Sequence, residues 1–170
     1  MSPELEIVIA VGIIFLAIVW LGVVFVGPPY VPTLQQELKR LFDDLKLTKN
    51  DHVVDLGAGD GRVLKLAVAV GSQASGVEIN PFLVLLANWR LRRTGARVKL
   101  GDIWHFRIPT DTSYVFVFFA RPFMAKLDRY LMSQLAPGRS VRVISYGFEF
   151  TDRHPEKVVG AFNVYLFRQN

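Results

Sequence analysis

The sequence predicts an α/β protein with a doubly wound, mostly parallel sheet, preceded by a single membrane-spanning helix. Short runs of strand type alternate with helical patterns from residue 52 onward, which is typical of parallel strands joined by crossover helices. A glycine-rich turn follows the first of these strands. An unbroken apolar run precedes all of these elements at the N-terminus, and it is the source of the predicted span.

The apolar run covers residues 7–26, which contain no charged side chain. At a rise of about 1.5 Å per residue it spans roughly 30 Å, the hydrocarbon thickness of a bilayer. A core helix of this length would show a polar face, and a signal peptide would begin with basic residues. Here Glu4 and Glu6 precede the run, and a Gly-Pro-Pro segment at 27–29 ends it. We therefore predict a short tail over 1–6 and a transmembrane helix over 7–26.

Basic residues indicate the orientation of this helix. Lys39, Arg40, Lys46 and Lys49 follow it, whereas no Lys or Arg precedes it. The positive-inside rule then predicts a single-pass membrane protein whose large C-terminal domain is cytoplasmic. The linker over 27–33 is short. The eight residue steps from Val26 to Leu34 reach about 29 Å at most when fully extended. The domain is therefore expected to stay close to the lipid head groups.

The remaining residues, 34–170, are interpreted as one domain. Thr33 and Gln36 form a capping box at the start of an amphipathic helix over 34–45. Strand-type and helix-type segments then alternate, and the last two strands are predicted to pair as a hairpin. The predicted strands cover 52–56, 74–78, 97–100, 114–119, 139–146, 157–159 and 163–167, and the predicted helices cover 62–70, 81–93 and 122–135.

The glycine-rich turn carries the chemical signal of the sequence. It reads DLGAGDGR over 55–62, so its glycines run G-x-G-x-G rather than G-x-G-x-x-G. A turn of this kind lets the backbone approach a ligand closely and exposes amide N–H groups at a helix N-terminus. Asp55 precedes the first glycine and Asp60 lies inside the turn. These carboxylates favour a ligand with sulfonium and ammonium charges and repel a pyrophosphate.

Two further acids follow the next strands. Glu78 ends the strand over 74–78, where an acid accepts hydrogen bonds from both hydroxyls of a ribose. Asp102 follows the strand over 97–100 and is placed to accept from an adenine amino group. One acid alone would be interpreted as a solvated strand end or a helix cap. Together with Asp55, three acids at successive strand ends indicate a nucleoside site, because ligands of such sheets bind along that edge.

These motifs resemble the class I S-adenosylmethionine-dependent methyltransferases, which have a Rossmann-like fold. The resemblance rests on DLGAGDGR at 55–62, GVEINP at 76–81 and LGDIW at 100–104. PYVPT at 29–33, LAPG at 135–138 and SYGF at 145–148 are similar to a membrane-anchored group within that family. The group includes the lysine methyltransferases of the mitochondrial ADP/ATP translocase and of the ATP synthase c subunit. The resemblance implies S-adenosyl-L-methionine as cofactor, and the bilayer and a membrane protein with an interfacial lysine as partners.

The resemblance also implies site residues. Glu78 would hold the ribose, with Ile79 beside it, and Tyr30 and Thr33 would fold over the cofactor near the substrate entrance. The methionine part would be framed by Asp55, Gly57, Ala58, Gly59, Asp60 and Gly61, and the adenine surrounded by Gly101, Asp102 and Ile103.

The sequence identifies no catalytic base. Tyr30, Phe119 and Tyr146 are candidates for lining an amine channel, where aromatic rings stabilise cations. Core packing is the alternative for each, and it is favoured for Phe119, which lies in a predicted strand. Many amino methyltransferases carry an Asn- or Asp-Pro-Pro-aromatic motif after the fourth strand, and this sequence has FARPF at 119–123 instead. The departure argues against adenine and glutamine as methyl acceptors.

Composition excludes several other classes of protein. The absence of cysteine excludes disulfides, thiolate nucleophiles and cysteine zinc sites, and the three histidines lack metal-ligand spacing, so no metal is expected. The formal net charge is +5, and the basic residues between 90 and 99 are interpreted as a solvated helix end or a surface facing lipid head groups, with no nucleic-acid partner. Three alternatives stay open: a methyltransferase for a lipid or isoprenoid head group, a non-catalytic membrane-tethered nucleoside-binding protein, and an NAD-dependent oxidoreductase.

Overall fold

The computed structural model describes residues 2–26 and 35–169, without the side chains of residues 17–26 and 35. The chain divides into two units, Met1–Val31 and Pro32–Asn170. In the first unit, helix α1 covers Pro3–Val26. The transmembrane segment predicted over 7–26 lies partly outside the described side chains and stays a prediction. In the portion of the chain that the structure describes, no helix meets the length and apolarity required to cross a membrane.

The second unit is built on a seven-stranded sheet. Its strands are β1 His52–Leu56, β2 Gln73–Glu78, β3 Arg97–Leu100, β4 Tyr114–Val117, β5 Ser140–Tyr146, β6 Lys157–Val159 and β7 Phe162–Arg168. Their order across the sheet is β3-β2-β1-β4-β5-β7-β6. Strands β1 to β5 run parallel to one another, whereas β7 pairs antiparallel with both β5 and β6. The prediction of a mostly parallel doubly wound sheet with a closing hairpin is therefore confirmed.

Helices cover both faces of the sheet. They are α2 Gln35–Leu45, α3 Arg62–Ala69, α4 Pro81–Leu91 and α5 Met124–Ser133, with short 3-10 turns at Ile103–His105 and Arg121–Phe123. Side chains alternate along each strand, so Val53 packs into the core beneath α2, α3 and α4, and Val54 packs into the core beneath α5. This arrangement leaves the carboxyl ends of the parallel strands as one continuous edge.

Strand β4 is shorter than the predicted strand over 114–119. It ends at Val117, which pairs with Leu56, the last residue of β1. Phe118 and Phe119 follow this last pair and lie outside the strand. The sequence-based boundary was wrong here because an apolar run does not reveal where the neighbouring strand ends.

Two predicted helices also begin or end differently. The helix predicted over 81–93 ends at Leu91, whose carbonyl accepts from the hydroxyl and the amide of Thr94 at 2.8 and 2.9 Å. The helix predicted over 122–135 begins as a 3-10 turn, and its α-helical part starts at Met124. Pro122 has no N–H to donate and is therefore confined to this first turn.

Candidate cofactor and active site

The glycine-rich turn leads from the end of β1 into α3. Gly57, Gly59 and Gly61 have φ angles of 87°, 53° and 77°, in the left-handed region that side chains with a Cβ rarely adopt. Three such residues in a span of five reverse the chain sharply. The turn therefore depends on glycine at each of these positions.

The amides of this turn bond to the neighbouring strand β2. Gly57 and Ala58 donate to the Val77 carbonyl at 2.9 and 3.0 Å, and Gly59 donates to the Glu78 carboxylate at 2.9 Å. The expectation that the turn exposes its amides to a ligand is wrong for these three N–H groups, because β2 already satisfies them. A pyrophosphate at a helix N-terminus needs such donors. The geometry therefore disfavours the dinucleotide alternative.

Small residues allow the turn to lie this close to its neighbours. A Cβ at Gly76 would lie 2.8 Å from the Ala58 Cβ and 2.9 Å from the Asp55 carbonyl oxygen. A Cβ at Gly61 would lie 3.0 Å from the Ala87 Cβ of α4. Contacts at these distances leave no room for a side chain at Gly76 or Gly61, so the turn is packed tightly between β2 and α4.

Two acids form the charged centre of this edge. Asp55 is 3% exposed on β1, and its pKa is raised well above the usual value by burial and by repulsion from Glu78 and Asp60. Glu78 is 8% exposed, and its two oxygens accept from the amides of Gly59 and Asn80 at 2.9 Å. A buried carboxyl whose pKa is raised by burial and by neighbouring acids favours a cationic ligand, which would stabilise its charged form.

Asp60 occupies a different environment from the other two acids. Arg62 bonds both of its oxygens, with Nε 2.9 Å from Oδ1 and Nη2 2.8 Å from Oδ2. Arg90 of α4 bonds the Asp60 carbonyl at 2.8 Å and also contacts its carboxylate. Two guanidinium groups thus offset the carboxylate charge, and the acidic character of the edge depends on Asp55 and Glu78. The interpretation of Arg90 as part of a solvated helix end is wrong, because its guanidinium donates to Asp60, which lies 30 positions earlier in the chain.

The adenine residues predicted at the end of β3 also lie along this edge. The Gly101 amide donates to the Glu78 carbonyl at 3.0 Å, which brings the end of β3 beside the end of β2. Asp102 caps the following 3-10 turn by accepting from the Trp104 amide at 3.0 Å. Ile103 is buried, whereas Ile79 is 46% exposed. Tyr30 and Thr33 lie outside the described residues, and their roles stay predictions.

The aromatic candidates for the amine channel lie in different environments. Phe119 is buried in the core beneath α5, with its ring centroid 6.0 Å from that of Trp104, so it packs as a core residue. Tyr146 is half-buried, and its ring lies 5.4 Å from Phe118, which in turn lies 6.1 Å from Phe148. These last three rings, all partly exposed, follow the ends of β4 and β5. We call Phe118, Tyr146 and Phe148 the aromatic cluster.

Sequence reasoning missed Phe118 and Phe148 as members of this cluster. Phe118 was assigned to the interior of a strand, and its exposure became visible only once the true end of β4 was known. Phe148 lies in the SYGF segment that supported the family resemblance, which was a signal pointing to it.

Comparisons with known proteins agree with this geometry. The family model of the ANTKMT methyltransferase domain matches residues 55–157. The chain is 32% identical over 136 residues to the lysine N-methyltransferase of the ATP synthase c subunit from Xenopus laevis, with 78% of this chain and 58% of that protein covered. It is 31% identical over 137 residues to a protein-lysine N-methyltransferase of Saccharolobus islandicus, with 77% and 83% covered. It is 32% identical over 137 residues to the adenine nucleotide translocase lysine N-methyltransferase of Mus musculus, with 78% and 58% covered.

The matched region spans just over half the length of the two animal relatives. Among solved structures, an RNA methyltransferase from Salinibacter ruber in complex with S-adenosyl-L-homocysteine superposes with a TM-score of 0.69 at 27% identity. That match covers 81% of this chain and 92% of the other. The fold and the cofactor class are those of S-adenosylmethionine-dependent methyltransferases.

The ion pair between Asp60 and Arg90 leads to a stability prediction. We expect Arg90→Gln to lower the free energy of unfolding by about 1–3 kcal/mol, since it leaves a buried carboxylate with one fewer partner. Thermal unfolding of the full chain measures this effect. Arg93→Gln is the matched control, because it removes an exposed arginine just beyond the same helix. Equal melting temperatures for the two variants would contradict the assignment, whereas Asp60→Asn should make the Arg90→Gln loss smaller.

Proposed function

We propose that this chain, which belongs to the ANTKMT methyltransferase domain family, is an S-adenosyl-L-methionine-dependent protein-lysine N-methyltransferase of a membrane-embedded protein. The observation that carries the proposal is the acidic edge made by Asp55 and Glu78 beside the aromatic cluster. The three relatives compared above are lysine methyltransferases, and two of them are named for the ATP synthase c subunit and the adenine nucleotide translocase.

The residues at this edge fit the cofactor. When bound, S-adenosyl-L-methionine supplies a methyl group on a sulfonium, together with an ammonium and a ribose. Asp55 offers a buried carboxyl whose neighbours raise its pKa, and a cationic group nearby would favour its charged form. Glu78 lies at the end of β2, where it would accept from the ribose hydroxyls. Asp102 and Ile103 would lie against the adenine.

The aromatic cluster is proposed to receive the lysine side chain. A lysine amine has a pKa of about 10.4 in water and must lose its proton before it can accept a methyl group. Removal of the amine from water lowers that pKa, because burial disfavours the charged form. The partly exposed rings of Phe118, Tyr146 and Phe148 provide such a surface, and alignment of the amine with the methyl group supplies much of the rate. No general base is required by this scheme.

The N-terminal segment is proposed to anchor the domain to a membrane. Support comes from the 20 uncharged residues over 7–26 and from the helical backbone of α1 over Pro3–Val26. The excess of Lys and Arg after this segment supports a cytoplasmic position for the domain. With only a short linker, the edge that binds the cofactor would stay near the head groups, which suits a substrate lysine at the membrane interface.

The proposed activity predicts where a transferred methyl group appears. Incubation of the purified full chain with radiolabelled S-adenosyl-L-methionine and host membranes should label protein, at lysine, and not the lipid extract. Glu78→Gln should lose most of the incorporation, because the ribose loses an acceptor. Label in the lipid fraction would support the head-group alternative instead. Cofactor binding without any incorporation would support the non-catalytic alternative.

The raised pKa of Asp55 predicts a pH dependence of binding. In the folded, ligand-free protein Asp55 keeps its proton above the pH at which it would lose it in the unfolded chain, so stability present at low pH is lost as pH rises toward the folded-state pKa. A bound cation favours the charged form. Affinity for S-adenosyl-L-homocysteine, whose ammonium group is retained, should therefore rise with pH, with release of a proton.

Titration calorimetry between about pH 5 and 8 measures this change, in buffers of different ionisation enthalpy. Asp55→Asn should remove the pH dependence and weaken binding, and it should raise the melting temperature of the ligand-free protein at neutral pH. Gln73→Asn, at the exposed start of β2, is the control. If the affinity of Asp55→Asn changed with pH as steeply as that of the wild-type protein, another group would carry the proton.

The short linker predicts a selective loss of activity. Insertion of about 20 Gly and Ser residues after Val26 should reduce methylation of the native membrane target, because the domain could then move away from the interface. Turnover of a soluble peptide that carries the same lysine should be spared. Equal losses on both substrates would contradict the proposed role of the tether.

A further inference from the structure

Helix α4 has apolar residues on its outer as well as its inner side. Its inner residues Val84, Ala87 and Leu91 are buried in the core. Its outer residues Phe82, Leu85, Leu86 and Trp89 are 56%, 70%, 41% and 63% exposed. Their spacing of three and four residues places them on one side of the helix. We call these four residues the α4 outer face.

An exposed face of this kind marks an interaction surface. Single large apolar residues at a surface are ordinary, but four adjacent ones are not, and a helix that is apolar all round is normally covered on both sides. The face is also continuous with the cofactor edge. Ile79, which immediately follows Glu78, is exposed as well, and α4 begins two residues later at Pro81.

The charge around this face indicates what covers it. Residues 60–102 contain seven basic residues and three acids, a formal charge of +4, whereas the whole chain carries +5. Two of the acids, Asp60 and Glu78, are buried, and Arg62 and Arg90 pair with Asp60. Most of the net positive charge of the molecule therefore lies in the segment that contains α3, α4 and β3. A pocket of about 240 Å³ at this surface is lined by Arg62, Lys65 and Arg90, together with apolar residues of α3.

Trp89 and Arg92 form a pair suited to a lipid interface. The Arg92 guanidinium lies 4.6 Å from the centroid of the Trp89 ring, and its Nη1 donates to the Trp89 carbonyl at 2.8 Å. Such a side chain covers apolar surface with its stem and keeps its charge at the polar boundary. Tryptophan is enriched at the same depth of membranes, since its ring is amphipathic.

We propose that the α4 outer face binds the surface of an anionic lipid bilayer, with its apolar side chains inserted to the level of the acyl boundary. The residues that would lie against phosphate head groups are the exposed basic ones of this segment, Lys65, Arg92, Arg93, Arg97 and Lys99. This contact is made by the catalytic domain itself, and it depends neither on α1 nor on the identity of the methyl acceptor. It would turn the ends of β2 and β3, and with them the cofactor edge, toward the membrane.

A bilayer fits this surface better than a second copy of the chain. In a two-fold dimer the same patch contacts itself, so the basic residues of one copy would face those of the other. Charge repulsion around the apolar centre would then oppose association. Anionic head groups, in contrast, neutralise this charge while the acyl boundary covers the apolar residues.

A single fluorophore tests the proposal. Because the chain contains no cysteine, Leu85→Cys creates the only thiol to be labelled with the environment-sensitive dye NBD. The full chain is reconstituted in phosphatidylcholine vesicles with and without about 30% phosphatidylglycerol. Ala125→Cys is the matched control, because it is exposed on α5, which covers the opposite face of the sheet.

We expect the emission of the Leu85→Cys probe to shift to the blue in the anionic vesicles. Nitroxide-labelled lipid should quench it at least about twofold more than the Ala125→Cys probe. Addition of Phe82→Ser and Trp89→Ser should abolish both effects, with circular dichroism confirming that the fold is kept. High salt should weaken them, because part of the attraction is electrostatic.

Two results would overturn the proposal. Equal quenching of the two probes would mean that α4 does not touch lipid. A blue shift of the Leu85→Cys probe that increases with the density of protein in the vesicles, without quenching by lipid nitroxide, would mean that a second copy covers the face. Methyl transfer to a soluble peptide is measured on the same preparations, so a failure of the proposed enzyme activity is distinguished from a failure of lipid binding.

Discussion

The hydrogen bonds between the glycine turn and β2 are the constraint on which the candidate site depends. The turn donates its amides to the Val77 carbonyl and the Glu78 carboxylate. These bonds hold the end of β1 against the end of β2. Asp55 is thereby buried near Glu78, and its burial together with repulsion from Glu78 raises its pKa. The absence of a side chain at Gly76 makes this proximity possible. The two carboxyls of the acidic edge thus lie near each other because the backbone of the turn packs against β2.

Charge is distributed very unevenly between the inside and the outside of this region. Asp55 and Glu78 are buried at the sheet edge, whereas the surrounding surface of α3, α4 and β3 is basic. Arg90 joins the two zones, because it extends from α4 to the buried Asp60. A cationic cofactor and an anionic surface would therefore be attracted to adjacent but separate parts of the domain.

Much of the fold could be predicted from the sequence, because its signals are local. A few neighbouring residues are enough to recognise a strand or helix period, the glycine turn and an acid at a strand end. The structure has these features where the sequence predicted them. Contacts between distant residues could not be predicted in this way. Asp60 and Arg90 lie 30 positions apart, and nothing in the sequence pairs them. The end of β4 is defined by pairing with β1 and β5, which are distant in sequence, so the exposure of Phe118 was hidden for the same reason.

Because the turn amides already donate to β2, this fold could not easily acquire a cofactor that needs those amides. Protein engineers often change the specificity of nucleotide enzymes by exchanging the acid that contacts the ribose. Here such an exchange at Glu78 would remove the acceptor of the Gly59 amide, while the amides of Gly57 and Ala58 would stay bound to Val77. A nicotinamide dinucleotide would still find too few donors for its phosphates. Conversion would require a different path for the whole turn, and therefore a new alignment of β1 with β2.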